Sequence, residues 1–140
     1  MRIVIDTNVF VAACLGSGPS NDVLGRCLTG TLTPLMGSAL LAEYESLLGR
    51  EDVFRAAPLD AGQRADLLDI LLASAQWVRI NFLWRPNLKD EADNHLVDLA
   101  IAGGARYIVT RKVKDFSNPD LRLPDLWIGL PEVFLKEFAP

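Results

Sequence analysis

The run Arg2-Ile3-Val4-Ile5, cut off by Asp6-Thr7-Asn8, constrains this chain more than any other stretch. Three consecutive β-branched or aliphatic residues with no polar alternation read as a strand covered on both faces, the signature of a parallel sheet interior. A helical pattern starts at once, with Val9, Phe10, Ala13 and Cys14 on one stripe that ends near Gly16-Ser17-Gly18-Pro19. Open α/β sheets place their ligand crevice at the carboxyl ends of such strands, so Asp6 is the first site candidate. The plainer alternative is that Asp6 or Asn8 only caps the helix that follows.

Further along, strand-like and helix-like segments alternate without an internal repeat, a low-complexity tract or a linker. Helices are predicted from about Asn21 to Leu28, from Ser38 as N-cap to Gly49, from Asp60 to Ala75 with Leu67, Leu68, Leu71 and Leu72 inward, from Asp90 to the Gly103-Gly104 stop, and from Pro131 through Phe138. Strands are predicted over Thr31 to Met36, where Pro34 weakens the pattern, over Trp77 to Ile80, and over Arg106 to Val109. Strands separated by helices of this length give an α/β fold with a mostly parallel sheet layered between helices. At 140 residues the whole chain, 1–140, is read as one domain.

Composition limits what Asp6 can belong to. No apolar run approaches the roughly 18 residues of a membrane span and no signal-peptide pattern opens the chain, so a cytoplasmic protein is expected. Half of the residues are hydrophobic, more apolar surface than a chain this size readily buries, which favours a homodimer or a bound partner. Cys14 and Cys27 lack Cys-x-x-Cys spacing and read as reduced core thiols. A single histidine, His95, rules out an imidazole-rich metal site. A net charge of -4 argues against a general phosphate-binding surface but leaves room for a local one where cations neutralise clustered acids.

The other acids then fall into place. In the helix after Ser38 the residues Leu40, Leu41, Tyr44, Leu47 and Leu48 form one apolar face, flanked by Glu43 and Glu45 on opposite edges. The pattern does not choose between the two glutamates, but the inward one leans back toward the helix N-terminus and toward Asp6. In the helix after Asp90 the predicted stripe is Leu96, Val97, Ala100 and Ile101, with Asp93 on the same face and His95 and Asp98 turned away. An acid in line with a core stripe is costly unless paired, capped or metal-bound, although a first-turn acid also suits the helix dipole. After the strand that follows, Thr110-Arg111-Lys112-Val113-Lys114-Asp115 emerges at the same rim as Asp6, with Asp115 either a site acid or an ordinary loop acid. Acids converging on one rim repel unless protonated or bridged, and an all-oxygen donor set selects Mg2+ or Mn2+.

Four blocks, IVIDTNVFVAA from Ile3, LLAEYESLL from Leu40, DNHLVDLAIAGGARYIVTRKVKDF from Asp93 and PEVFLKEF from Pro131, resemble the PIN domains, and among them the toxin ribonucleases of bacterial toxin-antitoxin pairs. The resemblance spans essentially the whole chain. It implies a three-layer α/β/α fold, metal-dependent cleavage of RNA, and an antitoxin partner. It places the catalytic, metal-holding acids on Asp6, Glu43 and Asp93 with Asp115 as the fourth, and so selects Glu43 over Glu45. Thr7, Asn8 and Thr110 match supporting polar positions. Where relatives often carry Asp or Asn two residues after the threonine, this chain has Lys112, which either weakens a second metal position or, with Arg111 and Lys114, contacts phosphate. That departure makes a catalytically weak PIN module acting in RNA or protein binding the main alternative to an enzyme. A receiver domain needs an adjacent acidic pair that Asp6 lacks, and an Asp-x-Asp phosphatase is excluded by Asn8. A hydrolase built on His95 is disfavoured because its expected face is solvent-exposed and no nucleophile elbow is present.

Overall fold

The computed structural model describes residues 1–16, 18–80, 94–116 and 125–139. Strands β1 (Arg2–Ile5), β2 (Thr33–Met36), β3 (Gln76–Trp77), β4 (Tyr107–Val109) and β5 (Trp127–Gly129) form one sheet in the order β3-β2-β1-β4-β5. Every pairing is parallel, with Ile3 opposite Tyr107 and Ile5 opposite Val109 at the centre. Helices α1 (Thr7–Leu15), α2 (Pro19–Leu28), α3 (Ser38–Leu48), α4 (Ala61–Ser74), α5 (Asn94–Gly103) and α6 (Pro131–Glu137) surround it. The result is the three-layer α/β/α arrangement expected from the sequence. Among the described residues, no helix is long and apolar enough to cross a membrane.

The central position of β1 follows from its composition: Ile3, Val4 and Ile5 are all buried, so both faces are covered, which only a middle strand of a helix-covered sheet experiences. Next to it, Tyr44 of α3 lies fully in the core, with its ring edge-on to Phe10 of α1 at 5.5 Å. Its hydroxyl donates to the Ile5 carbonyl at 3.1 Å. A buried phenol needs such an acceptor, and this one fixes the rotation of α3 about its axis relative to the end of β1.

Helix ends depart from expectation where tertiary contacts outrank local signals. α2 begins at Pro19 rather than Asn21, because proline is well suited to a first-turn position. Ser38 is the first residue of α3 rather than its cap, and Gly37 occupies the cap position. Asp60 does cap α4, in a reciprocal pair with Gln63 in which each side chain binds the other's backbone N–H, at 2.8 and 2.9 Å. On α4 only Leu68 and Leu71 of the four expected leucines are fully buried, together with Arg64. α5 stops at Gly103, and Gly104 takes a φ of 69°, the left-handed conformation that closes helices and suits glycine.

Three further differences concern the site side of the sheet. β3 is shorter than predicted, and as an edge strand it leaves Trp77 about half exposed. β5, not anticipated at all, forms the other edge as a three-residue strand, and Trp127 folds back over Gly129 so closely that a Cβ there would stand 2.4 Å from the ring. On α5 the buried side is broader than the stripe Leu96, Val97, Ala100 and Ile101. Leu99 and Asp98 are buried, whereas Ile101 is 46% exposed. The helix packs on β1, β2 and β4 and also against α3, so it has two inner faces instead of one.

Candidate active site at the carboxyl rim of the sheet

Asp6 and Thr110 are the residues that directly follow β1 and β4, whose last paired residues are Ile5 and Val109. The Asp6 N–H donates to the Val109 carbonyl at 3.0 Å and the Thr110 N–H to the Gly129 carbonyl at 2.9 Å, so the backbone ladder carries both side chains to the rim together. There the Thr110 hydroxyl donates to Asp6 Oδ2 at 2.8 Å, and the Asn8 amide donates to the same oxygen at 3.1 Å. Asn8 is itself held, because its Oδ1 accepts the Arg111 N–H at 2.9 Å, while Thr110 Oγ1 accepts the Lys112 N–H at 3.0 Å.

Asp6 occupies the N-cap position of α1, yet its side chain makes no capping bond. Its carboxylate accepts from the Thr110 hydroxyl and the Asn8 amide at the rim instead. Only 4% of Asp6 is exposed. Burial pushes its carboxyl above the ordinary range. The Thr110 hydrogen bond opposes that push and the negative charge of Glu43 adds to it.

Glu43 reaches the rim from α3, one residue before the Tyr44 anchor. Its Oε1 accepts the Thr7 hydroxyl at 3.0 Å, and its Oε2 lies 2.7 Å from His95 Nε2 on α5. The hydrogen bond from His95 holds the Glu43 carboxyl below its ordinary range, against the effect of partial burial. Glu45 is exposed on the far side of the helix. Geometry therefore separates the two glutamates that helical periodicity could not.

His95 corrects the sequence reading. It was expected on a solvent face, but its side chain is only 20% exposed and touches Glu43. His95 lies one turn before buried Leu99, and that α5 face abuts the start of α3. The signal available in the sequence was this four-residue spacing to Leu99, masked by the assumption of a single apolar stripe.

The other expected site residues divide. Asp93 lies outside the described residues, as does the side chain of Asp115, whose backbone belongs to the short turn Val113–Phe116. Lys112 and Lys114 are exposed, and the Lys112 charge helps keep Glu43 ionised. Arg111 does not face the rim as an open cation: it binds both carboxylate oxygens of Glu132 on α6, at 3.0 and 3.3 Å, and the Ser20 hydroxyl at 3.3 Å.

A divalent cation fits the chemistry of this corner. Asp6 and Glu43 present two hard oxygen donors from different elements, close enough for the charge of one to raise the pKa of the other. Both side-chain donors to Asp6 use Oδ2, and no side chain among the described residues donates to Oδ1. Among those residues no third carboxylate, histidine or cysteine completes a ligand set.

A family model described as a PIN domain matches residues 2–114. No match was found among curated proteins. Among solved structures, the crystal structure of VapBC2 from Rickettsia felis, bound to a DNA fragment from its promoter, is similar with a TM-score of 0.57. The similarity covers 91% of this chain and 97% of the matched chain at 20% sequence identity, a likeness of fold.

Proposed function

This chain belongs to the PIN-domain family, and on that premise we propose that it is a Mg2+- or Mn2+-dependent endoribonuclease. The observation that carries the reading is the pairing of buried Asp6 with Glu43 at the carboxyl rim of a parallel sheet, with opposite pKa shifts and with polar partners already bound. Two carboxylates so placed repel each other without a cation between them.

In this reading Asp6 and Glu43 hold the ion, joined by Asp93 and Asp115. When bound, a divalent ion supplies the Lewis acidity needed for water to attack a phosphodiester at neutral pH. Thr110 and Asn8 orient Asp6, Thr7 orients Glu43, and Lys112 and Lys114 receive the phosphate backbone. The motif resemblance to PIN toxins leads us to assign the chain a toxin role with an antitoxin partner, in the cytoplasm, on a fold like that of VapBC2. The apolar composition, half of the residues, underlies our reading of a homodimer or partner interface. Lys112, standing where relatives often carry a metal-binding residue type, favours one other reading, a catalytically weak module that binds RNA or protein.

Purified protein incubated with single-stranded RNA tests the proposal. Cleavage in Mg2+ or Mn2+ is expected, with none in EDTA and none from Asp6→Asn. Undiminished cleavage in excess EDTA would overturn the mechanism, and metal-independent RNA binding without cleavage would favour the binding module.

A further inference from the structure

We propose that His95 is a positioning residue for the candidate metal site, fixing the Glu43 carboxylate from one side while Thr7 fixes it from the other. The inference rests on the metal-site reading above. Thr7 donates to Oε1 at 3.0 Å and His95 Nε2 lies 2.7 Å from Oε2, so each oxygen of one carboxylate has its own partner. Those partners come from α1 and α5, both of which pack against α3.

The state of the imidazole follows from its surroundings. Nδ1 is buried and has no hydrogen-bond partner among the described residues. A hydrogen on Nδ1 would leave a buried N–H without an acceptor and would aim the Nε2 lone pair at a carboxylate. A hydrogen on Nε2 avoids both costs, so His95 donates to Glu43. The ring is held in that pose by the helix that carries it. Leu99, one turn further, approaches the start of α3 so closely that a Cβ on Gly37 would stand 3.3 Å from its Cδ1.

Glu43 is more than a third exposed, with a side-chain exposure of 39%, and on its own would sample several rotamers. Two partners fixed by helix packing remove that freedom before any cation arrives, so binding does not have to. Outer partners of metal-holding side chains typically contribute about 10–100-fold to metal affinity. His95 is thus assigned an effect on affinity for the ion, distinct from a role as a ligand.

The test is calorimetric titration of the full-length protein with Mn2+, with thermal melting in EDTA to confirm folding. His95→Gln keeps an N–H donor at similar reach, whereas His95→Met has nearly the same shape and no donor. The Gln variant is expected near wild-type affinity and the Met variant about 10–100-fold weaker. His95→Ala serves as a second donorless variant should the Met variant fail to fold. Equal affinities for the Gln variant and a donorless one would overturn the inference, as would tighter binding without the donor, which would make His95 a competitor for Glu43. Wild-type protein that binds no Mn2+ would overturn the metal-site reading and this one with it.

Discussion

The Thr110 hydroxyl and Asp6 Oδ2 are 2.8 Å apart across the seam between two neighbouring parallel strands, joining residues separated by 104 positions in sequence. The contact is possible only because each residue immediately follows the last paired position of its strand. A buried acid is thereby given a donor that needs no separate element to deliver it. Thr110 also accepts from Asn8 and from the Lys112 N–H, so one hydroxyl organises three sides of the rim.

Removing that hydroxyl is the most direct test of the arrangement. Thr110→Val preserves shape but leaves Asp6 short of a donor and two N–H groups short of an acceptor at a fully buried position. A loss of about 1–3 kcal/mol in urea unfolding is expected, with Thr110→Ser recovering most of it. A valine variant as stable as wild type would mean that water replaces the hydroxyl without cost.

Asp6 and Glu43 should affect stability in opposite directions with pH. The folded state holds the Asp6 proton more tightly than the unfolded chain does, so stability falls as pH rises past the ordinary carboxylate value toward the raised one. The penalty is therefore already felt at neutral pH, which lies well above the ordinary carboxylate value. Glu43 is shifted down, so its contribution is present above the ordinary value and is lost as pH falls through the lowered one. In EDTA at neutral pH, Asp6→Asn is therefore expected to melt above wild type and Glu43→Gln below it. Both differences should shrink on acidification, in melts taken between roughly pH 3 and pH 8. The same sign for both variants at neutral pH would contradict the opposed shifts.

How far these residues could be read from the sequence depended on whether their partners were local. β1 and Asp6 were legible because β-branched composition and an abrupt polar stop are properties of adjacent residues. The Glu43 helix was legible as an element, but periodicity alone left Glu43 and Glu45 equivalent. What separates them is Tyr44 donating to the Ile5 carbonyl, 39 positions away. His95 was misplaced because α5 packs on both the sheet and α3, and a one-stripe helix wheel has no way to express two inner faces. β5 escaped notice because three residues are too few to show a period, and its strand character comes from pairing with β4. Arg111 was grouped with its basic neighbours, when its partner Glu132 lies in the first turn of α6, 21 positions later.

That last relationship separates two adjacent cations and yields the final prediction. Arg111 ties the loop after β4 to α6 through Glu132 and to α2 through Ser20, and its guanidinium holds the Glu132 carboxyl below its ordinary range. Lys112, by contrast, is exposed, and its charge is felt by Glu43. Only the lysine is thus placed to meet a phosphate. With Ca2+ replacing the catalytic ion, Lys112→Ala is expected to weaken RNA binding and to lower the slope of log affinity against log salt by about 0.7 to 1. Arg111→Ala should leave that slope unchanged and lower the melting temperature modestly, as should Glu132→Ala, since a partly exposed ion pair contributes little. Binding measured at two salt concentrations decides between the cations: a reduced slope in Arg111→Ala would show that RNA draws the arginine out of its ion pair. Lys112→Asp adds a second reading of the same position. If that variant gains a Mn2+ step by calorimetry while Lys112→Ala keeps the wild-type salt slope, the lysine stands where a second ion would bind, and its role is to exclude that ion.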